Sequence, residues 1–416
     1  MRSIAVENSW TGGQYSLFRV LFGVYLFVHF GYLAAWAPEL FSSAGMLPNA
    51  SLSPLISAFP NILAIIDTPG FTIGLSLTAA IAALFFAIGR FDRLAAIYMW
   101  LILASFLGRN PLITNPAIPY VGWMLLAHLL LPRAPYGSWI ARGRTDPDAG
   151  WRFPPALFLA AWAILGLSYS YSGYTKLLSP SWVSGENVAY VLTNPLARDW
   201  WLRDLFLAAP PVLLKGLTWF ILAVELLFAP LSLSRRFRPW LWGAMLFVQA
   251  GFALLLNFPD LTLAMLLFHL FTFDPAWVKP RDMTGTTVFY DGGCALCHGS
   301  VRFLLAEERA GKLTFSPLGS ASFMARVSKA EREHIGDTFV VLTGSNELLT
   351  ESDGVIHVLK GCGGLWSLIA AGLDLLPKIA RDFGYRQIGK RRYALFGGKN
   401  ELCPIVPERF RSRILA

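Results

Sequence analysis

The chain has 416 residues, 55% of them hydrophobic and 15% charged, with a mean hydropathy of +0.50. That balance excludes a soluble globular protein, and the 15 Trp and 31 Phe are residue types that gather at lipid interfaces. A net charge of +9 would suit nucleic acid, but in so apolar a chain it reads as basic cytoplasmic loops and a surface facing anionic lipid, so no nucleic-acid partner is expected.

Residues 1–13 have neither a basic start nor an apolar run, so no cleavable signal peptide is expected. Eight apolar segments follow, at 15–36, 71–89, 94–107, 119–131, 154–174, 211–233, 240–257 and 261–273. A membrane-spanning helix needs about 20 apolar residues, so the shorter segments are tilted, re-entrant or longer than drawn. Arg90 and Arg93 follow the second segment, and Arg133, Arg142, Arg144 and Arg152 the fourth. Arg235, Arg236 and Arg238 follow the sixth, and Lys279 and Arg281 the eighth. The alternate loops are poorer in cations, and residues 37–69 hold none. The positive-inside rule then puts the basic loops and both termini in the cytoplasm of a multi-pass inner-membrane protein.

Composition changes near residue 280. Residues 1–280 read as a helical membrane bundle and residues 281–416 as a small α/β domain. Strand patterns lie at 287–290, 313–315 and 339–342, with a fourth starting at 347. Gly344-Ser345-Asn346 forms a turn, and Ser352-Asp353 is expected to cap a helix running through Leu359.

The first strand ends in Asp291-Gly292-Gly293, followed by Cys294-Ala295-Leu296-Cys297 and an amphipathic helical pattern carrying Val301, Leu304 and Leu305. A Cys-x-x-Cys pair between strand and helix is the arrangement of thioredoxin-like redox sites. The positive end of a helix favours thiolate at the first cysteine, so Cys294 is expected to attack a disulfide and Cys297 to resolve the mixed disulfide. Other readings stand beside this one. The pair is also half of a zinc site, with Cys362 and Cys403 too scattered to be a second knuckle. Cys-x-x-Cys-His298 matches a haem c attachment pattern, and the pair is also compatible with a purely structural role. No metal is expected.

Within the apolar part, Lys176 ends a helical segment, where a lysine ordinarily snorkels to the interface. Arg19 and Glu225 are expensive in lipid and should face the bundle interior, paired with each other or with backbone, or lining a polar cofactor pocket. His29, His128 and His269 are isolated and read as satisfied core or interface residues. The basic cluster Lys378, Arg381, Arg386, Lys390, Arg391 and Arg392 suits the anionic cytoplasmic leaflet.

Two resemblances sharpen these expectations. Val288-Phe289-Tyr290-Asp291-Gly292-x-Cys294-x-x-Cys297, with Ser352-Asp353-Gly354-Val355, Gly363-Gly364-Leu365-Trp366, Leu375-Leu376-Pro377, Tyr385 and Arg391-Arg392-Tyr393, resembles the DCC family of thiol-disulfide oxidoreductases across residues 285–403. The resemblance implies a thioredoxin-like fold acting on thiols or disulfides. Asp337-Thr338 stands where thioredoxins carry a cis-proline before the third strand. The second resemblance rests on Phe18-Arg19-Val20-Leu21-Phe22-Gly23, Gly45-Met46-Leu47-Pro48, Ser172-Gly173-x-x-Lys176-Leu177, Trp182-Val183-x-Gly185, Tyr190 and Glu225. These residues resemble the HTTM membrane domains related to vitamin K-dependent gamma-carboxylase, over about residues 14–275. By that resemblance Lys176 falls on a catalytic base and a quinone becomes the candidate lipophilic partner, with Arg19 and Glu225 as candidate cofactor-binding residues. The fold and the lysine carry over. The carboxylation reaction does not, since Pro111 and Leu112 replace a family histidine and Gln249 another.

The leading expectation is therefore a membrane-bound thiol-disulfide oxidoreductase whose Cys294–Cys297 pair exchanges electrons with a partner of the membrane domain. Carboxylase-like maturation of a secreted peptide through Lys176 is the second reading, and a non-enzymatic membrane scaffold the third.

Overall fold

The structure, a computed structural model, describes residues 10–113, 115–335, 339–397 and 407–415. Cys403 and Asp337-Thr338 lie outside them. Two compact units emerge. Among the described residues the first comprises Phe18–Leu131 and Pro154–Phe273, and the second residues 10–17, Pro132–Phe153 and the chain from Asp274 onward. The composition boundary near residue 280 thus marks only one of the joints from which the second unit is assembled.

The first unit is helical. Its elements are α1 (Gly12–Phe41, whose first turn belongs to the second unit), α2 (Pro69–Ile88), α3 (Asp92–Arg109), α4 (Ile118–Leu129) and α5 (Pro155–Lys176). The short α6 (Pro180–Val183), α7 (Asn187–Thr193) and α8 (Trp201–Leu207) lead to α9 (Pro211–Ser232), α10 (Arg238–Leu255) and α11 (Pro259–Thr272). All eight apolar segments are helices. Helices α1, α2, α5 and α9 are long and apolar enough to cross a membrane, and α4 and α11 are shorter apolar helices, as befits a multi-pass membrane protein. Proline opens α2, α5, α9 and α11, where its missing N–H goes unneeded.

Helices α5 and α9 approach most closely at Gly173, where a Cβ would lie 2.7 Å from the Leu226 backbone nitrogen. Beside it, Ser170 Oγ donates to the carbonyls of Glu225 and Leu226 and accepts from Ala229 N at 2.9 Å. Small residues at such a crossing let backbones approach where no hydrophobic drive favours association.

The second unit is a mixed α/β domain. Its strands β1 (Thr287–Tyr290), β2 (Thr314–Pro317), β3 (Val340–Leu342) and β4 (Leu348–Thr350) form one sheet in the order β2-β1-β3-β4. β1 is parallel to β2 and antiparallel to β3, and β3 is antiparallel to β4. Helix α12 (Ala295–Glu307) crosses from β1 to β2, and α13 (Ala321–Arg326) and α14 (Lys329–His334) precede β3. Helices α15 (Glu351–Cys362), α16 (Gly364–Asp374), α17 (Lys378–Phe396) and α18 (Glu408–Arg411) complete the unit. The strand period of two divides the core. Val288 and Tyr290 face a cluster with Val301 and Leu304 of α12 and Val358 of α15, and Phe289 faces a second cluster with Phe323 and Val327. The expected turn joins β3 and β4, with Asn346 in the left-handed region at φ 61°.

The expected cap at Ser352-Asp353 is corrected. Helix α15 starts at Glu351, so Ser352 is already helical, and it is Asp382 of α17 that accepts from the Ser352 N–H and hydroxyl. An acidic side chain from another helix does the work assigned to a local one.

The early and middle stretches join through aromatic packing. Trp10 is fully buried, Tyr15 stacks on Trp151 at 5.6 Å, and Trp10 meets Phe153 at 6.0 Å.

Candidate functional site

Strand β1 delivers the chain into a loop held by its own side chains. Asp291 Oδ1 accepts from Gly293 N at 2.8 Å, and the Asp291 carbonyl accepts from Cys294 N at 3.3 Å. Cys294 keeps extended dihedrals as the residue capping α12, and its carbonyl accepts from His298 N at 3.1 Å. His298 is buried, and its Nε2 donates to the Gly292 carbonyl at 2.7 Å while the ring packs edge-on against Tyr290. That histidine therefore braces the loop.

Cys294 is fully buried and Cys297, in the first turn of α12, is partly exposed. Both are free thiols, three positions apart where α12 begins. Burial above all, then the hydrogen bond to Cys294 and that sulfur's charge, pushes the Cys297 thiol up to about 12. Cys297 opens onto a cavity of about 190 Å³ whose walls include Asp291, Phe303, Phe339, Tyr385 and Arg392.

Helix α17 covers this face. Tyr385 Oη accepts from Phe339 N at 3.0 Å, Arg392 reaches Asp291 at 3.1 Å, and Tyr393 Oη donates to the same carboxylate. The Gly397 carbonyl, just past the helix end, accepts from Ala295 N at 3.3 Å. Burial works against the charge on Asp291, but the donors Tyr393, Gly293 and Arg392 outweigh it and hold the carboxyl below the usual range. Much of the expected basic cluster is committed inside the unit. Lys378 pairs with Asp353 at 2.5 Å and Asp382 at 2.9 Å, Arg381 with Asp353 at 2.5 Å, and Arg386 with Glu351 at 3.1 Å.

Glu307, at the far end of α12, carries a feature that sequence reasoning missed. It is buried, and it accepts from Gly13 N at 2.9 Å, from Trp366 Nε1 at 2.6 Å and from the Thr11 hydroxyl. A carboxylate thus receives the Gly13 N–H, one of the backbone donors left unpaired at the start of α1. A Cβ on Gly13 would lie 2.5 Å from the Glu307 carboxyl carbon, so that position has room only for glycine. Burial pushes Glu307 up despite its three donors. Cys362 is buried at the end of α15, donates to the Val358 carbonyl at 3.4 Å, and is pushed well up by the same cause.

The remaining candidate residues belong to the first unit. Lys176 is the last residue of α5. Its Nζ donates to both carboxylate oxygens of Glu225 on α9 and to Ser172 Oγ at 3.1 Å, and lies 4.7 Å from the Trp182 ring centroid. Glu225 is thereby paired with Lys176 and not with Arg19. Arg19, fully buried, donates from Nε to the Ala87 carbonyl at 3.4 Å. Arg19 and Glu225 are thus held by different partners. The three isolated histidines all have partners: His29 Nδ1 is 2.7 Å from Asp260, His128 Nε2 is 3.4 Å from Asp92, and His269 Nδ1 is 2.9 Å from the Met265 carbonyl.

With this geometry in hand, comparison with known proteins is specific to the second unit. The sequence profile of the DCC1-like thiol-disulfide oxidoreductases matches residues 288–398. The uncharacterized protein YuxK of Bacillus subtilis is 30% identical over 133 residues, covering 31% of this chain and 96% of that protein. A chloroplastic DCC family protein of Arabidopsis thaliana is 27% identical over 118 residues, covering 28% of this chain and 68% of its own length. No solved structure matches the chain.

Proposed function

The chain belongs, through its carboxyl-terminal domain, to the DCC1-like thiol-disulfide oxidoreductase family, and from that premise we propose that Cys294 and Cys297 cycle between dithiol and disulfide beside a membrane-embedded helical region. The observation that carries the reading is the pair of free cysteines at the start of α12, with Cys297 opening onto a cavity. Cys294 attacks one sulfur of a substrate disulfide, forming a mixed disulfide and releasing one substrate thiol. Cys297 then attacks Cys294 Sγ, closes the Cys294–Cys297 disulfide and releases the second thiol. Two electrons and two protons pass to the substrate, and the reverse sequence oxidises a dithiol. Since Cys294 is buried, the loop at the start of α12 must open before a substrate disulfide reaches its sulfur.

The redox domain is proposed to face the cytoplasm. Residues 10–17, Pro132–Phe153 and the chain from Asp274 belong to one unit, and four apolar helices separate each stretch from the next. An even count returns the chain to the same face each time, in keeping with the basic loops at 133–152 and 279–281. The membrane region is proposed to be HTTM-like, with anionic lipid at its cytoplasmic face and a quinone as the lipid-soluble electron partner. The test is a redox titration of the full-length protein in glutathione buffers, counting thiols by alkylation and mass. The reading predicts a two-electron transition lost in Cys294→Ser and in Cys297→Ser. A pair that stays reduced in fully oxidised glutathione would sink it.

A second reading is favoured by the Lys176–Glu225 contact, which places the Lys176 amine at a buried carboxylate within the helical bundle. Here the membrane region modifies a secreted peptide with Lys176 as base, and the redox domain regulates it. Lys176→Ala would then abolish activity while the cysteine variants would not.

A further inference from the structure

One large cavity of the first unit takes no part in the chemistry above. A cavity of about 1020 Å³ runs among α1, α3, α4 and α11, walled by leucine, valine and phenylalanine. It has one polar end. Tyr25 and His29, one helical turn apart on α1, meet Asn115 and Asp260 there.

The hydrogen bonding of that end determines what it can receive. Asp260 Oδ1 accepts from Tyr25 Oη at 3.0 Å and from His29 Nδ1 at 2.7 Å, and its Oδ2 accepts from Asn115 Nδ2. Asn115 Oδ1 is itself occupied by Ala117 N at 2.8 Å. A carboxylate ringed by donors requires the hydrogen on Nδ1 of His29, so in the neutral ring Nε2 is an acceptor. Tyr25 and His29 thus spend their hydrogens on Asp260, while the Asn115 amide spends one of its two N–H groups there, so a ligand meets acceptor capacity at His29 Nε2 and one remaining amide donor at Asn115. Asp260 also stands in the first turn of α11, where the positive end of the helix favours its charge. A bilayer phosphate or a fatty carboxylate would bring acceptors and negative charge to this end, and a ketone or quinone carbonyl would bring acceptors alone. A hydroxyl alone brings both a donor for His29 Nε2 and an acceptor for the second Asn115 N–H.

We propose that this cavity binds a lipid alcohol, an apolar chain of fatty or terpenoid type whose hydroxyl donates to His29, with Asp260 fixing the tautomer that accepts it. Pockets of about 300–1,000 Å³ ordinarily enclose whole small ligands, so the volume suits a long-chain alcohol. The site is independent of the thiol chemistry.

The experiment measures binding of radiolabelled hexadecanol to the full chain purified in detergent, with unlabelled competitors. Hexadecanol and farnesol should compete, while palmitate at pH 8, a long-tailed quinone and hexadecane should need at least roughly tenfold higher concentration, as expected for one lost hydrogen bond. His29→Phe should weaken hexadecanol binding by a similar factor and leave the weak binding of hexadecane unchanged. The competitor series on the unaltered protein needs no variant, so a misfolded His29→Phe does not protect the proposal. Palmitate or quinone competing as well as the alcohol would overturn it. So would hexadecylammonium binding more tightly than the alcohol, since that would make the Asp260 charge the contact. Quinone competition would at the same time lend a site to the electron partner of the proposed function, and its absence leaves that partner to bind elsewhere.

Discussion

Removing the Cys294 sulfur should make Cys297 react faster with an alkylating agent. In the intact pair the Cys297 thiol is pushed from an ordinary 9.0 up to about 12, by burial first and then by the hydrogen bond and charge of Cys294. Only thiolate alkylates. At pH 8 a thiol at 12 is about one part in ten thousand ionised and one at 9 about one part in ten, so Cys297 in the reduced pair should react roughly a thousandfold more slowly than a model thiol. Cys294→Ala deletes the second and third causes and leaves burial, so the rate should rise towards the model value without reaching it. The assay is timed iodoacetamide quenching with peptide mass spectrometry, from pH 7 to 10, on the reduced full-length protein. A wild-type Cys297 that alkylates at the model rate at pH 8, or a Cys294→Ala protein that reacts more slowly than wild type, would refute the reasoning.

Gly13→Ala should displace the Glu307 carboxylate and lower the melting temperature of the redox unit, because a methyl group cannot occupy a point 2.5 Å from its carboxyl carbon. Glu307 is pushed above its ordinary 4.5, so its contribution to stability is fully present below that pH and is lost as pH rises through its folded value. Glu307→Gln should abolish that part of the pH dependence of melting. Glu225→Ala leaves the Lys176 ammonium without its carboxylate and should destabilise by about 3–5 kcal/mol, while Lys176→Met with Glu225→Leu should recover most of it, a non-additivity that thermal melting in detergent can read. Gly173→Val should separate α5 from α9 and cost about 1–3 kcal/mol by overpacking, seen as a lower melting point.

The sequence carried what local periodicity can carry. Eight apolar runs became eight helices because a chain in lipid must satisfy its backbone within each segment. Four strand patterns became one sheet, and the cysteines fell at the strand–helix junction that their spacing implied. What escaped were partnerships between distant residues. Lys176 and Glu225 are 49 positions apart, and each alone reads as an awkward charge in a helix. Tyr385, which holds the Phe339 N–H, and Arg392, which holds Asp291, lie two turns apart on α17. A basic stretch so regular looked like a lipid-facing surface, when part of it faces the sulfur pair. Glu307 gave no signal at all, since two of its three donors lie almost three hundred residues upstream and the third 59 residues downstream.

That last separation has a consequence for how the protein is made. The Gly13 N–H in the first turn of α1 leaves the ribosome well before its partner, since the carboxylate that receives it emerges 294 residues later. At about 5–20 residues per second, the start of the first membrane helix waits roughly 15–60 s for its partner. A nascent chain stalled before residue 307 would hold all eight apolar segments of the first unit and still lack the clasp that joins the start of α1 to the end of α12.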